Sequence, residues 1–196
     1  MRTELGQLLD LLTAPPNALQ CNLDKFNDEI YQKIVRFKTA YYSFTLPVFA
    51  CLIATNRTDP PNDLEMLERA LIEMGEFFQI QDDYLDCYGD PNIMGKIGTD
   101  IQEGKCSWLV VTALKSHKLD SAKHAILAEH YGKHNKESET IIKSLYRDIG
   151  LESEFHQLEL ETEGRIKNII AELSSSNPAL GSIAEMFANR IFHRKK

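Results

Sequence analysis

Between residues 77 and 86 the chain reads Phe77-Phe78-Gln79-Ile80-Gln81-Asp82-Asp83-Tyr84-Leu85-Asp86. On a helix, at about 100° per residue, Gln79, Asp82, Asp83 and Asp86 fall within an arc of about 100° on one face. Asp82 and Asp86 are an i, i+4 pair, so their carboxylates lie one above the other and can share a cation. Three carboxylates this close repel one another. They also sit near the carboxyl end of their helix, where the macrodipole disfavours anions. A solvated acidic face is one reading. The other is a site for a hard cation such as magnesium, which takes carboxylate and phosphate oxygens. The rest of the helix favours the second. Phe77, Phe78, Ile80, Tyr84, Leu85 and Tyr88 fill most of its other directions, and a buried helix with one acidic stripe is expected to line a polar cavity.

Cations that complement this stripe follow at once. Gly95-Lys96-Ile97-Gly98-Thr99-Asp100 follows, with Lys96 ten residues after Asp86, and Gly104-Lys105-Cys106-Ser107-Trp108 comes next. Lysines on glycine-bearing turns reach phosphate oxygens as point charges, and glycines allow close backbone approach. Asp100 is either a further ligand or a helix N-cap. Lys38-Thr39, upstream on a long helix, adds another cation and a hydroxyl. Singly, each lysine reads as a surface residue. Set beside an acidic helix, they describe a diphosphate pocket in which anion and cation partners alternate.

Composition narrows the classes. The chain has 196 residues, enough for one domain with a substantial core, and a net charge of -7 argues against a nucleic-acid partner. The cysteines Cys21, Cys51, Cys87 and Cys106 show neither a CxxC pair nor a metal-ligand rhythm, so they are expected to be reduced core residues. No targeting segment is visible at the start. The longest apolar run, Leu46 to Ala54, contains Pro47 and is expected to be too short to span a bilayer. A cytoplasmic location is the expectation.

The elements that must position these residues are helices, and no segment has a convincing strand period. Helices are predicted over Glu4–Leu12, Asp24–Ala54, Asp63–Tyr88, Thr99–Leu114, Asp120–Gly132, Glu137–Ile149, Leu151–Leu173 and Pro178–Phe192. Pro47 is expected to kink the second of these near Ser43. Arg57–Asn62, Asn92–Gly98 and Ser174–Asn177 read as loops. The expected fold is a single all-α domain over residues 1–196.

Three strings carry a resemblance: Lys38-Thr39-Ala40-Tyr41-Tyr42-Ser43-Phe44, then Gly75 to Asp86 (GEFFQIQDDYLD), then Gly95 to Leu109 (GKIGTDIQEGKCSWL). In this order and spacing the chain resembles the farnesyl diphosphate synthase family over essentially its whole length, as the carboxyl-terminal half of an isoprenoid synthase-type helical bundle. The resemblance implies magnesium-dependent prenyl transfer, in which an allylic diphosphate such as dimethylallyl or geranyl diphosphate ionises and alkylates isopentenyl diphosphate. It implies that Asp82, Asp83 and Asp86 serve a metal site, with Asp82 the foremost ligand. Lys38, Lys96 and Lys105 would contact the allylic diphosphate, and Thr39 and Gln79 would stabilise the carbocation. Gln7, Asp10 and Tyr42 match cavity-lining positions, and Arg194-Lys195-Lys196 a basic closing tail.

The same resemblance makes Asp82, Asp83 and Asp86 the second aspartate-rich motif, and implies a first one on a facing helix, with an arginine pair just after it and an upstream lysine and arginine for isopentenyl diphosphate. This sequence has one adjacent aspartate pair, Asp82-Asp83, and no Arg-Arg. Two functions are therefore carried forward. One is a farnesyl-type prenyltransferase. The other is a non-catalytic relative that binds diphosphate weakly or modulates a full-length synthase by mixed dimerisation. A homodimer is the family expectation. A generic helical metal bundle is disfavoured, because the chain has no Glu-x-x-His pair.

Overall fold

A computed structural model describes residues 1–15, 21–95 and 97–192. Among the described residues there is no strand, so the all-α expectation holds. The α-helices are α1 (Arg2–Thr13), α2 (Asp28–Val35), α3 (Leu46–Ala54), α4 (Pro61–Tyr88), α5 (Pro91–Met94), α6 (Asp100–Glu103), α7 (Trp108–Lys115), α8 (Ser121–His130), α9 (Lys136–Ile149), α10 (Leu151–Ser176) and α11 (Pro178–Phe192). Their ends follow from capping chemistry. The Asp120 carboxylate accepts the Lys123 N–H, and the Asn135 amide oxygen accepts the Ser138 N–H. Gly95, Gly104 and Gly150 close α5, α6 and α9 in the left-handed conformation.

Several expectations need correction. The long second helix is not α-helical throughout. Instead Arg36–Thr45 is wound as a π-helix, with the Leu46 N–H bonded to the Tyr41 carbonyl, five residues back. Pro47 is the second residue of α3. Residues 23–25 form a separate 3-10 turn, and α2 begins only at Asp28, with the Asn27 side chain accepting the Ile30 N–H. The helix predicted over Thr99–Leu114 is broken into α6 and α7. Residues 91–94, read as loop, form α5, and α10 runs on through Ser174–Ser176. The run Asp28–Ala54 passes as a membrane span by length and composition, although the shorter apolar stretch within it was expected to be too short. Core helices of soluble proteins pass the same test, and the run carries Asp28, Arg36 and Lys38.

The chain gathers into two compact units. Of the described residues, the first takes 1–6, 35–79 and 157–192, and the second takes those of 7–34 and 80–156. In the first, Leu67, Leu71, Met74, Phe77, Ile166, Leu173 and Leu180 are buried. Phe44 packs against Phe78 and Phe187, and Phe77 stacks on Phe192. In the second, Tyr84 stacks on Phe155 at 3.9 Å, Trp108 meets the same ring edge-on, and Ile142, Tyr146 and Leu151 are buried beside them. These aromatics fix the carboxyl-terminal turns of α4, which carry the aspartates. All four cysteines are free, as expected. Cys51, however, is exposed, so it is not a core residue.

Candidate functional site

In the first unit the π-helical segment carries Lys38 and Thr39. Gly6 and Gly75 let it pack backbone to backbone. A Cβ on Gly6 would lie 2.4 Å from the Lys38 nitrogen, and one on Gly75 would lie 2.5 Å from the Ala40 Cα. Thr39 is buried, and its hydroxyl donates to the Gln79 amide oxygen at 2.8 Å. The two residues matched to carbocation stabilisation are therefore bonded to each other, which fixes both dipoles. The guanidinium of Arg2 lies over the Tyr41 ring, 4.2 Å from its centre.

In the second unit the three aspartates part company. Asp83 is 6% exposed, and its Oδ2 accepts the Tyr31 hydroxyl at 2.7 Å and the Trp108 N–H at 2.8 Å. It faces inward and ties α2 to the start of α7. Asp82 and Asp86 are half-buried. Asp86 accepts the Asp100 N–H at 2.9 Å, so Thr99, and not Asp100, is the N-cap of α6. Gly98 makes that approach possible, since a Cβ there would collide with the Asp86 carbonyl. Asp100 joins the acidic group from the other side. Burial first, then the charges of Asp83, Asp86 and Asp82, push its carboxyl from 3.8 up to about 8, against a lowering by Lys105.

Lys105 sits in the break between α6 and α7. Its side chain is mostly covered, its ammonium lies 3.8 Å from the Glu103 carboxylate, and its carbonyl accepts the Tyr131 hydroxyl at 2.6 Å. Lys96 and the basic tail Arg194-Lys195-Lys196 lie outside the described residues. Asp10 is buried, whereas Gln7 and Tyr42 are exposed.

Two arrangements thus emerge, Thr39 with Gln79 in one unit and Asp82, Asp86, Asp100 and Lys105 in the other. Among the described residues no three His, Cys, Asp or Glu side chains converge into a ready metal cage. The donor set nevertheless fits a hard cation held open, by one or two carboxylates together with phosphate oxygens and water. The unfavourable charge on Asp100 marks an anionic focus that such a cation would relieve. A cavity of about 430 Å3 in the first unit is lined by Arg36, Tyr41, Glu73 and Glu76 among others, none of them predicted. Arg36 and Arg165 pair with Glu76 and Glu73 there, at 2.5 and 2.9 Å, so much of its charge is already compensated.

Sequence reasoning missed Tyr31, Glu103 and Tyr131. The first and last read as ordinary core aromatics at helical spacing, and only the fold reveals what their hydroxyls touch.

The chain is similar to known proteins in sequence and in fold. The polyprenyl synthetase family model matches residues 1–149. Farnesyl pyrophosphate synthase of Kluyveromyces lactis is 43% identical over 195 residues, spanning all of this chain and 54% of that protein. The Rattus norvegicus protein of the same name is also 43% identical, with 53% of it covered. Among solved structures, T. brucei farnesyl diphosphate synthase complexed with risedronate superposes with a TM-score of 0.89 at 32% identity, over all of this chain and 56% of that one. The chain spans about half the length of the curated relatives it matches. With the family model covering most of its residues, the chain belongs to the polyprenyl synthetase family.

Proposed function

We propose that the chain supplies the allylic-diphosphate side of a farnesyl-type prenyl transfer, the condensation of isopentenyl diphosphate with dimethylallyl or geranyl diphosphate. The observation that carries this reading is the charge cluster of the second unit. Asp82 and Asp86 stand at the end of α4, Asp100 is driven towards its neutral form beside them, and Lys105 supplies the opposing cation. Alternating charges of this kind suit a ligand that is itself an anion bound through cations.

Asp82 and Asp86 are the carboxylates that would hold magnesium, while Asp83 serves as a buried clasp. Bound there, magnesium would supply charge neutralisation for the departing diphosphate. The side chains do the rest. Lys105 draws negative charge from the diphosphate oxygens as the allylic carbon–oxygen bond breaks, a role that the family resemblance also gives to Lys38 and Lys96. The resemblance gives the positive charge left on carbon to fixed dipoles at Thr39 and Gln79, and those two side chains are bonded to each other. The electron pair of the isopentenyl double bond then forms the new carbon–carbon bond, and a proton leaves the product.

A second reading has its own support. The sequence has one adjacent aspartate pair, and α3 presents Leu46 and Ile53 to solvent at 57% and 74% exposure. A chain of this kind could hold diphosphate and join a full-length synthase as a mixed dimer. An assay with isopentenyl and geranyl diphosphates and magnesium separates the two. The first reading expects farnesyl diphosphate at a rate far below that of the full-length K. lactis relative, and abolished by Asp82→Ala. No product on prolonged incubation removes the first reading in favour of the second. Product formation indifferent to Asp82→Ala contradicts both.

A further inference from the structure

We propose that Tyr131 and Tyr31 are positioning residues for Lys105, gripping the two ends of the short segment that presents it. The inference deepens the reading of Lys105 as a diphosphate lysine and rests on it. Lys105 lies where a continuous helix was predicted and a break is found. A lysine in such a break gains nothing from helical rigidity, so its backbone must be held by other means.

The structure provides those means at both ends. At the first, the Lys105 carbonyl accepts the Tyr131 hydroxyl at 2.6 Å and the Ser107 N–H at 3.0 Å, while its own N–H donates to the Asp100 carbonyl at 3.0 Å. Tyr131 is 3% exposed, and Phe26 meets its ring edge-on at 6.4 Å. At the other end the Trp108 N–H donates to Asp83 Oδ2 at 2.8 Å, and the Tyr31 hydroxyl donates to the same oxygen at 2.7 Å. Gly104 fixes the entry. It sits at φ +63° against Gly132, where a Cβ would come within 3.2 Å of the Gly132 Cα. Two buried phenols on different elements, α2 and the end of α8, therefore determine where the segment from Lys105 to Trp108 lies. Their rings fill space, as any core aromatic does. The Tyr131 hydroxyl bonds this segment directly and the Tyr31 hydroxyl reaches it through Asp83, and replacement by phenylalanine removes the hydroxyl alone.

The test is calorimetric titration of the full chain with inorganic diphosphate in the presence of magnesium. Lys105→Ala measures what the lysine contributes. Tyr131→Phe is expected to weaken diphosphate binding about three- to tenfold, the worth of one hydrogen bond. In a Lys105→Ala background the same substitution is expected to change nothing further, because its effect passes through the lysine. Tyr31→Phe repeats the cycle from the Asp83 end, so a folding failure in one variant leaves the other decisive. Additive losses, or a Tyr→Phe variant that binds as the parent does while Lys105→Ala binds poorly, overturn the positioning role and leave the lysine's role standing. Unchanged binding in Lys105→Ala overturns the reading beneath it and this inference together.

Discussion

Asp100 carries the clearest electrostatic consequence at the scale of single residues. Its carboxyl is lifted from 3.8 to about 8 by burial and then by three neighbouring aspartates. Between those values the folded chain keeps a proton that the unfolded chain has released. The stability this lends is full below about pH 4 and is lost as pH rises through about 8. Thermal melts in the absence of divalent cations check it. Parent stability should fall relative to Asp100→Asn between about pH 4 and about pH 8, and parallel curves would refute the assignment. The sequence offered Asp100 as ligand or cap and placed Asp82, Asp83 and Asp86 on one helical face. That face was legible because helical geometry is local. The inward turn of Asp83 was not, because it depends on Tyr31 and Trp108, which lie 52 and 25 residues away.

At the scale of elements, the π-helical stretch and its two glycines are the least predictable feature. A proline in a helix signals disturbance, but whether the chain kinks or widens depends on what packs around it. Here Gly6 and Gly75 admit close backbone contacts around Lys38 and Ala40. Gly75→Ala should destabilise the chain by about 1–3 kcal/mol through overpacking, despite the better helix propensity of alanine. Gly164, in α10, has nothing within 4 Å of an added Cβ. There the same change should stabilise by about 0.5–1 kcal/mol. Urea denaturation of both variants measures the contrast, and equal effects would remove the case for close packing at Gly75. The break between α6 and α7 was likewise hidden. Thr99–Leu114 has an acceptable helical pattern, and Gly104 inside it is a weak signal until its left-handed conformation is seen.

The whole chain shows apolar surface that its own residues leave uncovered. Of the nine residues in α3, Val48 and Leu52 are the buried ones, although the helix is apolar on every side. Such a helix belongs against a partner. Concentration-dependent association is therefore expected, and Leu46→Ser with Ile53→Ser should weaken it. Sedimentation velocity decides the matter; a parent that stays monomeric across the accessible concentration range contradicts it. Fold class was readable from composition and periodicity alone. The family was readable from three strings, two of which surround the α4 aspartates and the Lys105 turn. We propose that those aspartates and that lysine together hold a diphosphate through magnesium. Calorimetric titration with geranyl diphosphate tests it most directly: binding should require magnesium and disappear in Asp82→Ala, whereas binding that survives either the removal of magnesium or that substitution would contradict the account.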